Sequence, residues 1–226
     1  MIKIEKHERV NDILLGPLER PALQWLSAHM PAWVTPDICT AIGILGALVT
    51  SIGYILSNTD RNYFWLASFG FLVNWLGDSL DGTLARYRHI ERPKYGFYID
   101  HTTDTFSQAV IFLGLGLSPY ISFNVACMAL ISYYMLAILV YVRTCVVGEF
   151  KISFGKLGPT EIRVIAILLN TAMYFIGLKS VEWSLANNQL VFSVYDIAVL
   201  MIAIILFSFF FNTAWKEARS LSRLGE

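Results

Sequence analysis

Charged residues are scarce in this chain. Only 15% of its 226 residues are Asp, Glu, Lys or Arg, whereas 56% are hydrophobic and the mean hydropathy is +0.55. A soluble domain carries about a quarter charged residues, so the apolar content exceeds what one globular core requires. The formal net charge is zero, so there is no global basic field, and we expect no nucleic-acid partner.

Cysteines and targeting signals are equally sparse. Cys39, Cys127 and Cys145 stand alone in apolar runs without disulfide or metal spacing, which predicts small core residues. The first thirty residues lack the apolar core of a cleavable signal peptide. Residues 1–34 mix apolar and charged side chains, which predicts an amphipathic juxtamembrane helix on the cytoplasmic interface, with a soluble lead-in as the alternative. Without visible repeats or linkers, residues 1–226 are predicted to form a single membrane-embedded domain.

The apolar residues gather into six runs of about the ~20 residues that a bilayer-spanning helix needs. The predicted fold class is therefore all-α: a polytopic membrane protein with six transmembrane helices and an N-terminal amphipathic interfacial helix. The spans are predicted at about Ile38 to Leu56, Tyr63 to Leu80, Ile99 to Leu117, Ile121 to Val147, Ile162 to Leu178 and Tyr195 to Trp215.

Basic residues divide unevenly between the two sides of this topology. With six spans, both termini and the loops after the second and fourth spans share one side, which holds 15 of the 17 Lys and Arg residues. The other side holds Arg61 and Lys179. The positive-inside rule then places both termini in the cytoplasm, in a cell membrane or inner membrane.

Four aspartates interrupt the ends of the second and third spans: Asp78, Asp81, Asp100 and Asp104. A carboxylate at the centre of a span costs roughly 2.5–3.5 kcal/mol, so water, basic partners or bound cations must offset the set. The spacing places each pair on one face of its helix, and helices joined by a short connection pack as antiparallel neighbours. Carboxylate ligands suit Mg²⁺ or Mn²⁺, and four of them can hold two ions.

Glycine and arginine complete this pattern. Gly82 removes a side chain beside Asp81, and Arg86 follows one turn later, where a guanidinium can bind a phosphate oxygen. The whole motif covers 27 residues and resembles the complete signature of the CDP-alcohol phosphotransferase family. It is Asp78-x-x-Asp81-Gly82-x-x-Ala85-Arg86, nine residues, then Gly96-x-x-x-Asp100-x-x-x-Asp104.

The resemblance implies a phospholipid-synthesis enzyme in which an alcohol hydroxyl attacks a CDP-linked donor, forming a phosphodiester and releasing CMP. It implies that Asp78, Asp81 and Asp100 are the principal metal ligands, and that Asp104 is the general base and lies close to the second metal. It further implies that Gly82, Ala85 and Arg86 contact the CDP portion of the donor. A homodimer in the membrane is expected by the same analogy.

Other residues extend the candidate site. Pro36-Asp37-x-x-Thr40 resembles the Pro-(Asn/Asp)-x-x-Thr opening of the family's first span, which predicts a nucleotide contact, although Thr-Pro is also an ordinary helix start. Arginine facing lipid is costly, so Arg143 and Arg163 either hold a substrate phosphate or pair with Glu149, Glu161 or lipid headgroups. The candidate phosphate- and acceptor-binding set is Arg143, Lys156, Glu161, Arg163 and His101.

The donor is less well determined. Asp100-His101-x-x-Asp104 and the later Phe154-Gly155 and Thr160-Glu161 pairs are similar to the choline/ethanolamine phosphotransferase branch, which moves a phospho-base from CDP-choline or CDP-ethanolamine to diacylglycerol. A six-span chain is typical of members that use CDP-diacylglycerol and a small alcohol, and the prediction leans to that donor.

Two further classes are disfavoured. A cation-coupled transporter usually carries acids near the membrane midplane and repeat symmetry between its halves, whereas here the acids cluster at one edge. An intramembrane prenyltransferase needs two aspartate-rich regions far apart in the sequence, and here both pairs lie within 27 residues.

Overall fold

The computed structural model describes residues 14–147, 158–185 and 188–224. These residues are almost entirely helical, in agreement with the predicted all-α class. The helices are α1 (Gly16–His29), α2 (Pro36–Leu56), α3 (Tyr63–Tyr87), α4 (Pro93–Gly116), α5 (Phe123–Val147), α6 (Pro159–Ile176) and α7 (Val194–Leu224). A short antiparallel hairpin, β1 (Ser180–Leu185) and β2 (Asn188–Ser193), lies between α6 and α7 and was not predicted.

Four helices in the described part of the chain are long and apolar enough to cross a membrane. They cover Pro36–Leu56, Phe123–Val146, Pro159–Ile176 and Val194–Arg223, which overlap the first, fourth, fifth and sixth predicted spans. Helices α3 and α4 have 25 and 24 residues, enough at ~1.5 Å per residue to cross a ~30 Å hydrocarbon core. They are not among the four, and both carry the aspartates. The six-span layout therefore stays a prediction.

Helices α2 and α3 pack backbone against backbone through glycine. A Cβ atom on Gly46 would lie 2.2 Å from the backbone nitrogen of Asn74, and one on Gly77 would lie 2.3 Å from the backbone nitrogen of Gly43. Such distances exclude any side chain, so these positions require glycine, as is common where membrane helices approach closely. Thr40 at the start of α2 and Asp81 near the end of α3 are thereby brought side by side.

Two buried apolar clusters lie along this helix pair. The larger cluster joins α2, α3, α4, α5, α6 and α7 and contains Tyr54, Phe64, Tyr120 and Tyr195. The smaller one joins α1 to the start of α2 and the end of α3 and consists of Leu23, Val34, Cys39, Leu80 and Leu84. The aspartates of α3 lie next to this smaller cluster, at the end of the bundle where α1 packs.

Helix α1 packs on the bundle by one face. Leu23 and Ser27 are buried against the bundle, whereas Leu18 and Trp25 are 75% and 61% exposed. The helix begins at a Gly-Pro pair and covers the second half of the predicted juxtamembrane segment, whose first 13 residues lie outside the described residues. Its placement on a membrane interface stays a prediction.

The connection from α1 to α2 is held by Arg88, the residue that follows α3. Its guanidinium donates hydrogen bonds to four backbone carbonyls, which orients the chain between the two helices relative to the end of α3. The acceptors are the carbonyl oxygens of Met30, Pro31, Ala32 and Val34.

The opposite end of the bundle is held by a buried acid, Asp196, in the first turn of α7. Its carboxylate accepts hydrogen bonds from the backbone nitrogen and hydroxyl of Ser122, at 2.7 and 2.9 Å, and from the backbone nitrogen of Ser193 at 2.9 Å. The loop between α4 and α5 is thereby joined to the start of α7. Asp196 is only 2% exposed, so this carboxylate is fully occupied by protein donors.

Candidate active site

Three of the four predicted aspartates come together between α3 and α4. Asp78 from α3 and Asp100 and Asp104 from α4 each offer a carboxylate oxygen, and these oxygens lie within 4.8 Å of one another. All three side chains are partly buried. Helices α3 and α4 each pack on α2 and make little backbone contact with each other. The acids therefore meet across the space between the two helices, and the spacing of four residues in α4 places Asp100 and Asp104 on the same face.

The fourth aspartate, Asp81, lies in a different environment. Its Oδ2 accepts a hydrogen bond from the hydroxyl of Thr40 on α2 at 2.7 Å, and its Oδ1 accepts one from the backbone nitrogen of Gly82 at 2.5 Å. The structure therefore places Asp81 against the start of α2 and outside the three-acid cluster. Its role as a metal ligand stays a prediction.

Arg163 on α6 reaches the acid cluster from the other side of α3. Its terminal nitrogen lies 2.7 Å from Oδ2 of Asp78, and its Nε donates to the side-chain oxygen of Asn74 at 2.9 Å. Asn74 in turn donates to the backbone carbonyl of Gly43 on α2 at 2.9 Å. The observed ion-pair partner is Asp78, an acid that the sequence had not suggested for this arginine. Binding of a substrate phosphate by Arg163 stays a prediction. Arg163 is 7% exposed, so the pair is shielded from solvent.

The candidate nucleotide residues of α3 follow Asp81: Gly82 is the next residue, and Ala85 and Arg86 lie about one turn further along the helix. A Cβ atom on Gly82 would lie 3.2 Å from the guanidinium of Arg86, which also donates to the hydroxyl of Thr83 at 3.2 Å. Ala85 is partly buried on the same helix, whereas Arg86 is exposed. The glycine thus leaves room for the arginine to fold back over α3, and a phosphate could take the same space.

The Pro36-Asp37-x-x-Thr40 motif forms the start of α2. Pro36 occupies the first helical position after the cap Thr35. Asp37 is half exposed and pairs with Arg92, with 2.5 Å between Oδ1 and the guanidinium. Thr40 contacts Asp81, so the motif borders the aspartates of α3. A nucleotide contact for these residues stays a prediction.

His101 and Arg143 lie in separate surroundings. His101 is 3.1 Å from Asp100 through its Nδ1, and its ring packs on those of Phe97 and Tyr141 with centroids 4.1 and 5.3 Å away. Arg143 on α5 pairs with Glu217 on α7, with 3.0 Å between Nε and Oε1. The sequence had suggested other acids as partners for this arginine. Glu217 had not been considered because its register against α5 depends on helix packing.

Glu161 caps its own helix and holds the start of α1. One carboxylate oxygen accepts from the backbone nitrogen of Gly158 at 2.9 Å, and the other accepts from that of Leu15 at 2.8 Å. Both oxygens are therefore engaged by protein donors, and a substrate contact for Glu161 stays a prediction. Lys156, the remaining candidate of this set, lies outside the described residues.

One acid near the site, Glu19, was not predicted from the sequence. Glu19 on α1 accepts hydrogen bonds from Trp75 and Ser79 on α3 and from Thr160 on α6. A glutamate in a helix that also carries other charges resembles an ordinary solvated side chain. The sequence holds no signal for this contact, because the contact depends on how α1 docks against two other helices.

The acid cluster has the chemistry of a site for a divalent cation. Its ligands are hard carboxylate oxygens, the type that Mg²⁺ and Mn²⁺ prefer. Oxygens on opposite sides of Mg²⁺ lie about 4.2 Å apart, since each bond is ~2.0–2.1 Å. Small side-chain movements would bring oxygens that lie within 4.8 Å of one another to that separation. The residues present therefore fit a divalent metal ion.

These features together define a class of protein. A helical bundle with membrane-length apolar helices and a carboxylate cluster beside buried arginine is suited to phosphate-ester chemistry at a bilayer. The chain belongs to the CDP-alcohol phosphatidyltransferase family, whose model matches residues 33–215. That family consists of transferases of substituted phosphate groups, so its match confirms the resemblance that the aspartate motif indicated.

Individual relatives divide into two kinds. The chain is 28% identical to cholinephosphotransferase 1 of Gallus gallus over 176 residues, 73% of this chain and 50% of the relative. It is 35% identical to archaetidylinositol phosphate synthase of Pyrococcus horikoshii over 104 residues, 46% of this chain and 52% of the relative. It is also 35% identical to phosphatidylinositol phosphate synthase of Cutibacterium acnes over 92 residues, 40% and 41% of the two chains. The chain thus spans about half the length of each relative.

Proposed function

We propose that this chain catalyses the metal-dependent transfer of a substituted phosphate group from a CDP-linked donor to an alcohol hydroxyl, with release of CMP. The observation that carries the proposal is the cluster of Asp78, Asp100 and Asp104 in a chain whose family model covers residues 33–215. Gly82 and Arg86 follow Asp78 along α3 by about one and two helical turns, which supports a nucleotide diphosphate site beside the cluster.

In this proposal Asp78, Asp100 and Asp104 hold the metal, with Asp81 as a further ligand. Mg²⁺ or Mn²⁺, as two ions, would neutralise the diphosphate of the donor and stabilise CMP as a leaving group. Arg163 binds Oδ2 of Asp78, which leaves Oδ1 of that carboxylate for the cation. Thr40 donates to Oδ2 of Asp81, and the backbone nitrogen of Gly82 donates to its Oδ1, so both oxygens of this carboxylate are oriented by protein donors.

Asp104 is the proposed general base. A base has to be within hydrogen-bond reach of the hydroxyl proton that it removes, and Asp104 lies one helical turn further along α4 than Asp100. Its carboxylate would take the proton of the acceptor alcohol as the oxygen attacks the phosphorus. The bond from phosphorus to the CMP oxygen then breaks, and CMP leaves with that electron pair. Gly82, Ala85 and Arg86 would bind the CDP portion, with Pro36, Asp37 and Thr40 at its border.

The membrane arrangement supports this assignment. If α3 and α4 cross the bilayer with the four apolar helices, the chain has six spans, and 15 of its 17 basic residues lie on one side. That side is cytoplasmic by the positive-inside rule, and it contains the acid cluster. Helix α1 would then lie on the cytoplasmic surface, with Leu18 and Trp25 directed towards lipid. A homodimer is proposed by analogy with the family.

Two donor classes have support from different observations. The similarity to cholinephosphotransferase extends over 73% of this chain, which favours CDP-choline or CDP-ethanolamine with a diacylglycerol acceptor. The similarity to the archaetidylinositol and phosphatidylinositol phosphate synthases is higher in identity but covers less than half of the chain. It favours CDP-diacylglycerol, the donor to which the sequence prediction leaned, with a small alcohol acceptor. Because the similarity to cholinephosphotransferase covers more of this chain, a phospho-base donor is the first candidate.

A CMP-release assay tests both the reaction and the donor. The purified protein in mixed micelles would be given Mg²⁺ and either CDP-choline with diacylglycerol or CDP-diacylglycerol with a panel of small alcohols. We expect CMP from one donor class, dependent on both the acceptor and the metal, and no CMP after chelation of the metal. Absence of CMP with every pairing, together with unchanged nucleotide binding in Asp81→Asn, would falsify the proposed function.

A further inference from the structure

We infer that Glu19 is a positioning residue for the metal site, acting through Arg163 from outside the family motif. It lies on α1, and its Oε1 accepts hydrogen bonds from Trp75 Nε1 and Ser79 Oγ, each at 3.0 Å, and from Thr160 Oγ1 at 3.1 Å. One carboxylate oxygen therefore joins three helices: α1, α3 and α6. This inference rests on the proposed metal site.

The two stripes of α3 involved are neighbours on the helix surface. Asn74 and Asp78 form one stripe, four residues apart, and they bind Arg163. Trp75 and Ser79 form the second stripe, offset by one residue and hence rotated by about 100°. The residues that bind Glu19 therefore alternate along α3 with those that bind Arg163.

Helix α6 contributes one residue to each of these two hydrogen-bonded groups. Thr160 donates to Glu19, and Arg163 follows three residues later, so the two side chains lie on the same side of α6, one turn apart. The backbone position of Arg163 relative to Asp78 thus depends on the contact at Thr160. The first turn of α6 is also joined to α1 through Glu161 and Leu15. Loss of Glu19 would remove the link from this turn to Trp75 and Ser79 of α3, and Arg163 would be held less firmly on Oδ2 of Asp78.

The consequence for the metal site follows from how such ligands are oriented. Residues that hydrogen-bond a metal ligand typically change metal affinity or activity by 10–100-fold when they are lost. Arg163 contacts the ligand Asp78 directly, whereas Glu19 acts one contact further away, so we expect Glu19→Ala to weaken Mn²⁺ binding by about 3–10-fold. In turnover assays the concentration of Mg²⁺ giving half-maximal rate should rise more than kcat falls.

Conservative variants separate positioning from simple packing. All three donors reach Oε1, so Glu19→Gln keeps that acceptor. Its amide nitrogen takes the place of Oε2, 3.0 Å from the hydroxyl of Thr160, which can accept from it. The Mn²⁺ affinity of Glu19→Gln should therefore remain within about twofold of the wild type. Thr160→Val removes the donor from α6 alone and should weaken Mn²⁺ binding in the same direction as Glu19→Ala. Thr160→Ser, which keeps the hydroxyl, should restore the affinity.

The matched control is Asp196→Asn, at the opposite end of the bundle. Asp196 also accepts three hydrogen bonds from two segments, but none of its partners lies next to the acid cluster. This variant should lower the thermal unfolding temperature and leave Mn²⁺ affinity unchanged. It therefore shows what the loss of a buried acid does when its role is structural.

The experiment is a titration of the full chain in detergent micelles with Mn²⁺, followed by electron paramagnetic resonance of the free ion. Glu19→Ala, Arg163→Gln and the double variant form a cycle, and if Glu19 acts through Arg163 the double variant binds Mn²⁺ no more weakly than Arg163→Gln. Fully additive losses, or unchanged affinity in both Glu19→Ala and Thr160→Val, would overturn the inference alone. Absence of Mn²⁺ binding by the wild type would overturn the proposed metal site, and this inference with it. If Glu19→Ala does not fold, Thr160→Val decides the question.

Discussion

The carboxylates at the two ends of the bundle have different neighbours. Asp196, beside the hairpin, is surrounded by neutral donors from Ser122 and Ser193 and has no other carboxylate in its hydrogen-bonding group. At the other end, Asp78, Asp100 and Asp104 lie within 4.8 Å of one another, and Arg163 contacts one of them. A structural acid is thus satisfied by hydrogen bonds, whereas the clustered acids repel one another, and the proposed cation would offset that repulsion.

The largest expected effect comes from Asp104→Asn. The substitution removes the proposed base, so turnover should fall by about 10²–10⁴-fold, the usual contribution of general acid–base catalysis. It also removes one of three neighbouring negative charges, so the unfolding temperature measured without metal should not fall. CMP release and thermal unfolding in detergent, on the same preparation, measure both quantities. If Asp104→Asn lowered the unfolding temperature and kept its turnover, Asp104 would be a structural acid like Asp196 and not a catalytic one.

In contrast to Asp104→Asn, the substitution Asp196→Asn should lower stability and leave turnover unchanged. An amide in place of the carboxylate directs an N–H group at one of the protein donors and leaves a buried donor unsatisfied, which costs about 1–3 kcal/mol. Turnover per folded molecule should be unchanged, because no partner of Asp196 belongs to the acid cluster. Denaturant or thermal unfolding measures the loss. If stability were retained and turnover were lost, the acid at this end would also be functional.

The smallest effect is expected at Thr40, which tests whether Asp81 belongs with the clustered acids. Thr40→Val removes the hydroxyl that donates to Asp81 and keeps the shape of the side chain. A hydrogen bond to a charged group contributes roughly 1.5 kcal/mol or more, equivalent to about a tenfold loss of kcat/KM. Thr40→Ser should recover most of the rate. If Thr40→Ser is as slow as Thr40→Val, packing of the methyl group would be the cause.

The grouping of aspartates at one end of the bundle could be predicted in part from local spacing. Residues four apart on a helix share a face, and the five residues between Tyr87 and Pro93 predict that the two acidic faces lie close together. The carboxylates of Asp78, Asp100 and Asp104 do meet, but α3 and α4 are positioned by packing on α2 and not on each other. Asp81, the fourth predicted member, contacts Thr40 instead. The motif added Gly82 and Arg86, and the family match over residues 33–215 agrees with the identification that it suggested.

The remaining contacts depend on tertiary packing that no local pattern determines. The contact of Arg163 with Asp78 requires the register of α6 against α3, which lie 85 residues apart at these positions. The contact of Glu19 requires α1 to dock on both helices. The hairpin from Ser180 to Ser193 was not predicted, because its two six-residue strands are too short to stand out beside the long apolar runs that flank them.

The glycine contacts between α2 and α3 have a mechanical consequence. Gly43, Gly46 and Gly77 let the two backbones touch, so neither helix can slide along or roll over the other without driving main-chain atoms into the facing peptide groups. Thr40 and Asp81, which lie on these two helices, therefore stay in register as one rigid unit. A bulky lipid-linked substrate, bound as proposed, would therefore have to be accommodated away from this contact, for example where α6 meets α3 through side chains.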